Sequence, residues 1–313
     1  MNGTENNRLA QAAQCLSPLL YGLLQPYFSE FEYTAQEIRL RLCRPMSLVC
    51  RGKTVYFTAR GGVTDLPCGD LRMVSRGEIA ETFQRLCDYS VYARQREIAD
   101  GYVTLRGGHR AGICGTAVCE NGAVANVRGI SSIHIRIARE HRGCASGILP
   151  AVKQTRGGVL ICGAPCSGKT TVLRDLARQL SLGGQSVSLA DERGELAACV
   201  DGEPQNDVGL CDVYDGYPKA TAIMQAVRSM APELVLCDEI GGEADAQAVA
   251  QCQNSGVRVI ATAHAADMEE LRRRQALQAV LFTGAFSTFI FLKGRAQAGQ
   301  TATVVTEGAC YAA

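Results

Sequence analysis

The chain has 313 residues, a formal net charge of +1, 47% hydrophobic residues and no tryptophan. That is the composition of a globular protein with room for two domains, and it excludes a disordered, fibrous or uniformly charged chain. The near-neutrality conceals two halves: residues 1–156 hold 20 basic against 13 acidic side chains (+7), and residues 157–313 hold 12 against 18 (−6).

Residues 8–26 place Leu9, Ala12, Ala13, Leu16, Leu19, Leu20 and Leu23 at helical spacing, which predicts one amphipathic, core-facing helix. Within residues 36–58, EIRLRL, SLVC and TVYF predict short strands, with Arg51, Gly52 and Lys53 turning between the last two. Ser75 and Glu78 spell a capping box for a helix reaching about Asp88. GYVTLR, AGICGTAVC, AVANVR and ISSIHIRIA follow as strands, and Asn121-Gly122 between two alternating runs is a hairpin signal. Residues 1–142 therefore read as an N-terminal α+β domain with a substantially antiparallel sheet, and Gly143 to Gly147 as a flexible linker.

From Gly158 the pattern changes. VLIC, SVSLA, LVLC and VRVIAT alternate with helical stretches near 169–182, 218–230, 243–254 and 267–281, and the strand FSTFIFL follows. This alternation predicts an α/β domain over residues 143–313, with helices on both faces of a largely parallel sheet. MNGTENNRLAQ lacks a secretion-signal pattern, and no apolar run reaches the roughly 18 residues of a spanning helix. A soluble chain able to dock on a membrane protein is the expectation. The 15 cysteines include no CxxC pair. They fit neither a clustered zinc site nor a disulfide framework, and suit thiols kept reduced in a cytosol.

The chemistry concentrates after the first strand of the second domain. Gly163, Ala164, Pro165, Cys166, Ser167, Gly168, Lys169, Thr170 and Thr171 match G-x(4)-G-K-[ST] between a strand and a helix. Glycines let backbone amides curl around a phosphate, and the helix start adds partial positive charge. Lys169 then bridges the β- and γ-phosphates of ATP, Thr170 offers its hydroxyl to Mg²⁺, and Thr171 reaches the α-phosphate.

LVLC ends in Asp238 and Glu239, at the strand end where ligands of parallel sheets bind. Asp238 is expected to serve the metal through water, and Glu239 to polarise the attacking water. A second acidic cluster, Asp191 to Glu195 (DERGE), allows two readings. Either Glu192 positions or activates water and Asp191 assists the metal, or the acids simply favour a helix start. His264 follows VRVIAT, where a polar side chain can sense the γ-phosphate. An arginine from another domain or subunit often completes such sites, and the candidates are Arg228, Arg106, Arg110, Arg136 and Arg139. Arg272, Arg273 and Arg274 sit in EELRRRQALQ, where preceding acids pair with them. No aromatics interleave there for base stacking, so nucleic acid is not the expected partner.

The phosphate loop, DERGE, RSMAPELVLCDEIG and ATAHA together resemble the secretion-superfamily (type II/IV secretion-like) P-loop ATPases. EIRLRLCRP, SVYARQREIADGYVTLRGGHRAGICG, SSIHIRIARE and DVYDGYPKATAIMQAVRSMAPE are similar to segments of one branch, the stage III sporulation protein AA family. The resemblance covers most of residues 35–290. It implies an N-terminal α+β domain followed by a RecA-like P-loop ATPase domain. It implies a cytoplasmic ATPase on the mother-cell side of the channel to the forespore, working as a homo-oligomeric ring, hexameric in expectation, with membrane proteins as partners. In that reading residues 163–171 bind nucleotide, Asp238 serves the metal, and Glu239, Glu192 and His264 surround the γ-phosphate. Two competing readings are a DNA-associated, recombinase-like motor and a nucleotide-dependent scaffold with little turnover. The opposed charges of the two halves suit head-to-tail packing with arginines supplied to phosphates across a domain or subunit boundary.

Overall fold

Alternating apolar residues in the basic half build one seven-stranded sheet in the computed structural model, which describes residues 7–306. The chain divides into two compact units between Arg139 and Glu140.

In the first unit the strands are β1 (Ala35–Arg41), β2 (Ser47–Cys50), β3 (Lys53–Phe57), β4 (Val63–Thr64), β5 (Tyr102–Thr104), β6 (Arg110–Glu120) and β7 (Ala123–Arg136). They lie in the order β4-β3-β2-β1-β7-β6-β5, and every neighbouring pair is antiparallel. Ile38, Leu40, Ile133 and Ile135 are fully buried in one core with Leu9, Leu16, Leu20 and Leu24.

Leu9 comes from one helix, α1 (Arg8–Ala13), Leu20 and Leu24 from a second, α2 (Pro18–Leu24), and Leu16 from the turn between them, where the periodicity predicts a single helix. The break lies at Pro18, which has no N–H for a continuing helix and pushes Ser17 into an extended ψ of 150°. The reorientation leaves Leu19 out of the core, 71% exposed. A short α3 (Phe28–Phe31) follows, then α4 (Arg76–Leu86) behind the expected Ser75/Glu78 capping box, and α5 (Gln95–Ala99). Asn121 (φ 51°) and Gly122 (φ 81°) make the two-residue turn of the β6–β7 hairpin with both residues left-handed.

In the second unit α6 (Leu149–Gln154) leads into β8 (Gly158–Cys162), α7 (Lys169–Leu182), β9 (Val187–Asp191), β10 (Asp212–Asp215), α8 (Lys219–Ser229) and β11 (Leu234–Cys237). Then come α9 (Glu243–Asn254), β12 (Arg258–Ala263), α10 (Met268–Arg273), α11 (Gln275–Phe282), β13 (Phe286–Leu292) and β14 (Thr301–Thr306). The order is β10-β9-β11-β12-β8-β13-β14, parallel except for the last pair.

Burial on both faces explains the continuous apolar strands. Leu160 and Cys162 of β8 join Ile223, Val249, Cys252 and Val280 on one face. Val159 and Ile161 join Val152, Leu173, Leu176 and Leu180 on the other.

Three local expectations change. The helix over 267–281 is two helices, separated where Arg274 turns extended (φ −75°, ψ 108°). Strands β10 and β14 add the two edges. The Gly143–Gly147 stretch is tied down rather than loose: Ala145 is fully buried, and its N–H donates to Asp175 Oδ2 at 2.8 Å. Among the described residues no helix is long and apolar enough to cross a membrane.

Candidate functional site

Because β8, β9, β11 and β12 are parallel, their carboxyl ends share one edge of the sheet, where the sequence places its candidate residues. The loop of residues 163–168 leaves β8 and enters α7. Two of its glycines are required by space. A Cβ on Gly163 would sit 2.4 Å from Ser167 Oγ, and one on Gly168 (φ 90°) would sit 2.8 Å from the backbone N of Gly299. The Gly299 N–H also donates to Ser167 O at 2.8 Å, so the turn between β13 and β14 braces the loop. Cys166 is exposed and holds a left-handed φ of 63°. The first amides of α7 lack intrahelical acceptors, as at every helix start, and give the loop donors for an anion.

Lys169 is 6% exposed. Its Nζ donates to Gly163 O at 3.0 Å, Ala164 O at 3.1 Å and His264 Nδ1 at 3.1 Å. Burial lowers its pKa, while Asp238 and Glu239 pull the other way. Since Nδ1 of His264 accepts, Nε2 carries the proton and donates to Glu239 Oε1 at 2.8 Å. The other oxygen of Glu239, Oε2, takes Arg193 Nη1 at 2.8 Å. Burial would raise the Glu239 carboxyl, but the His264 hydrogen bond and the charges of Arg193 and Lys169 outweigh it and hold the pKa below the usual range. Glu239 also sits at a left-handed φ of 46°.

Thr170 Oγ1 donates to Asp238 Oδ2 at 2.6 Å. Asp238 Oδ1 takes the Thr262 hydroxyl and the Glu239 N–H. A hydroxyl and a carboxylate side by side suit Mg²⁺, which takes hard oxygen ligands and keeps several waters and substrate oxygens. Among the described residues no cluster of three or more His, Cys, Asp and Glu forms an all-protein metal cage. Magnesium held mainly by water and phosphate does not need one.

The two carboxylates opening DERGE differ sharply. Asp191 is buried, and its oxygens accept the N–H groups of Glu195 (2.9 Å), Leu196 (3.1 Å) and Ala197 (2.8 Å). Its carboxylate shapes the loop. Glu192 is exposed and lines a cleft with Arg193, Glu195, Lys219, Asp238 and Glu239.

Of the arginine candidates, Arg228 belongs to the second unit and the other four to the first. Arg228 is exposed in the last turn of α8, nine residues or about 14 Å of helix from Lys219. Arg136 is 77% exposed with Nε 3.6 Å from Glu37 Oε1. Arg139 donates to the carbonyls of Glu32 (2.6 Å) and Ala35 (2.8 Å). Arg110 stacks 3.4 Å above the Tyr102 ring, and Arg106 is exposed.

Sequence reasoning missed three participants. Lys219 donates to Glu239 O at 2.5 Å and lies 3.6 Å from Asp245 Oδ2. Thr262 Oγ1 accepts the Glu239 N–H at 2.8 Å. Arg193 is the third. The one available hint was the rarity of lysine: Lys219 is among only five in the chain.

The family model described as sporulation stage III, protein AA, matches residues 6–309. Stage III sporulation protein AA of Bacillus subtilis (strain 168) is 39% identical over 264 residues, 82% of each chain. Among solved structures, the Legionella pneumophila ATPase DotB aligns with a TM-score of 0.56 at 18% identity, covering 87% of this chain and 75% of that one. The pilus retraction motor PilT with bound ADP aligns with a TM-score of 0.55 at 16% identity, covering 86% and 77%. The fold is thus that of RecA-like secretion ATPases carrying an N-terminal domain. By family match and by identity over most of its length, the chain belongs to the stage III sporulation protein AA family.

Proposed function

We propose that this protein binds ATP with Mg²⁺ and hydrolyses it to ADP and phosphate. The observation that carries the reading is the meeting, at one sheet edge, of Lys169, Thr170, Asp238, Glu239 and His264. The loop amides and Lys169 hold the β- and γ-phosphates. Thr171 faces the α-phosphate, and the neighbouring cleft lined by His141, Arg142, Arg174 and Arg178 takes the nucleoside end. Thr170 and Asp238 hold Mg²⁺, which when bound neutralises phosphate charge.

Glu239 orients a water whose oxygen bonds to the γ-phosphorus as the bond to the β–γ bridging oxygen breaks. The water's proton passes to the Glu239 carboxylate and then to solvent. His264 holds Glu239 by its Nε2–H and reads the loop through Lys169. Glu192, exposed beside them, supports the water.

Residues 1–139 and 140–313 act in this reading as an amino-terminal domain and an ATPase domain. The protein works as a ring of identical subunits, six in number, on membrane proteins of the channel between mother cell and forespore. Being exposed, Arg228 and Arg136 are the guanidinium groups available to phosphates of a neighbouring copy. The family and the motor-type fold support this reading. The test is ATP turnover and oligomer mass of the wild type beside Lys169→Ala. The variant is expected to lose nucleotide affinity at least tenfold and turnover with it. Wild-type affinity in Lys169→Ala would contradict the assignment.

A further inference from the structure

We propose that Lys219 is a positioning residue for the reaction: by holding the main-chain carbonyl of Glu239, it fixes where that carboxylate stands. This rests on reading the site as an ATPase centre with Glu239 on the attacking water, and it names the part that aims Glu239.

The loop of residues 238–242, between β11 and α9, creates the need. Glu239 has a φ of 46°, a left-handed conformation that a side-chain-bearing residue keeps where its surroundings impose it. Those surroundings take the loop amides one after another. The buried Thr262 hydroxyl oxygen accepts the Glu239 N–H at 2.8 Å, and the Thr262 carbonyl accepts the Ile240 N–H at 2.9 Å. Asp245 Oδ2 accepts the Gly241 N–H at 2.9 Å, and the Ala276 carbonyl accepts the Gly242 N–H at 2.7 Å.

Lys219 grips the loop from the other side. Its Nζ donates to the Glu239 carbonyl at 2.5 Å. That carbonyl and the Ile240 N–H belong to one planar peptide group and point opposite ways. With Lys219 at one end and the Thr262 carbonyl at the other, the peptide plane is fixed. The direction in which the Glu239 side chain leaves the backbone is fixed with it.

The lysine is itself aimed. Its side chain is 11% exposed, and Nζ lies 3.6 Å from Asp245 Oδ2, the same oxygen that takes the Gly241 N–H. Its place in the helix does not explain it, because Lys219 is the first residue of α8, where the helix dipole disfavours a cation. A compact ammonium also suits a gap between one carbonyl and one carboxylate oxygen better than a planar fork does. Lys169 serves the phosphates, and Lys219 serves Glu239.

The experiment measures ATP and ADP affinity, kcat and melting temperature for wild type, K219M, K219R and K219M/D245N. K219M is expected to keep both affinities within about threefold, since the phosphate loop is untouched, while kcat falls about 10–100-fold because the carboxylate is misplaced. K219R restores a charged donor and recovers part of that loss. K219M leaves Asp245 buried without its cation, so K219M/D245N, which removes both charges, separates folding from positioning. The double variant is expected to regain melting temperature but not kcat. If its kcat returns with its melting temperature, the pair is merely structural and the proposal falls. A loss of ATP affinity as large as the loss of kcat would place Lys219 on the nucleotide and overturn the proposal as well. In a Glu239→Gln background K219M should change the residual turnover by less than about twofold, and a further tenfold fall would contradict action through Glu239. Wild-type kcat in both K219M and K219M/D245N overturns the role of Lys219 alone. A wild type without turnover overturns the hydrolysis reading and this role together.

Discussion

Gly168 shows how much of the site is decided by single residues. Its φ of 90° is a region that side-chain-bearing residues rarely adopt, and any Cβ meets the Gly299 backbone N at 2.8 Å. Gly168→Ala therefore combines backbone strain with a clash against main chain rather than against a flexible tip. The expected cost is roughly 1–3 kcal/mol, read as a lower melting temperature, with phosphate binding lost alongside. A variant with unchanged melting temperature and nucleotide affinity would contradict this account of the loop. At this scale the sequence was most legible where a motif states its own geometry. Spacing alone put Thr170 near Asp238 and His264 near Glu239, because strand ends of a parallel sheet line up. It could not reveal that Arg193 and Lys219 converge on Glu239, because neither belongs to a motif and both depend on loop conformation. Nor could it separate Asp191 from Glu192. Both line the cleft, and only burial and the amide bonds show that the first carboxylate is spent on shaping the loop while the second stays exposed.

Elements followed the sequence wherever local chemistry and pattern agreed. The Ser75/Glu78 box starts α4 because each partner satisfies an amide of the other: Glu78 takes the Ser75 N–H at 2.8 Å, and Ser75 Oγ takes the Glu78 N–H at 3.3 Å. Ser75→Ala is expected to destabilise the protein by about 1 kcal/mol, a shift of a few degrees in thermal unfolding, without altering nucleotide affinity. No shift would mean the cap is frayed in solution. The elements that escaped prediction did so for identifiable reasons. Pro18 interrupts a periodicity that a moving window reads as continuous, and Arg274 turns extended inside a charged helical run that carries no Gly or Pro. Strand β10 is four residues long, with both end residues exposed, and β14 is mostly exposed. Edge strands with one partner carry a weak pattern. Central strands such as β8 and β11, buried along their whole length, announce themselves.

The whole molecule adds a pH dependence that no motif suggests. His109 is fully buried, its Nδ1 accepts the Ala138 N–H at 3.0 Å, and burial together with the Arg8 charge lowers its pKa to about 3. The unfolded chain takes up a proton near pH 6.5, whereas the folded chain resists until about pH 3. Stability from this group is therefore complete above about pH 6.5 and drains away as pH falls, by up to about 1.4 kcal/mol per pH unit. Urea unfolding of wild type and His109→Asn at pH 7 and pH 5 checks the sign. The wild type should lose more on acidification than the variant, and equal losses would contradict a buried neutral imidazole. The opposed charges of the two halves fit the same picture at larger range. The acidic half holds the carboxylates of the cleft formed by Asp191, Glu192, Glu195, Asp238 and Glu239. The most direct test of the central claim is ATP binding and hydrolysis by Glu239→Gln beside the wild type. The glutamine keeps the shape and cannot take the water's proton, so ATP binding should persist while turnover falls about 10²–10⁴-fold. Turnover at the wild-type rate in that variant would contradict the assigned role of Glu239 and the hydrolytic site built around it.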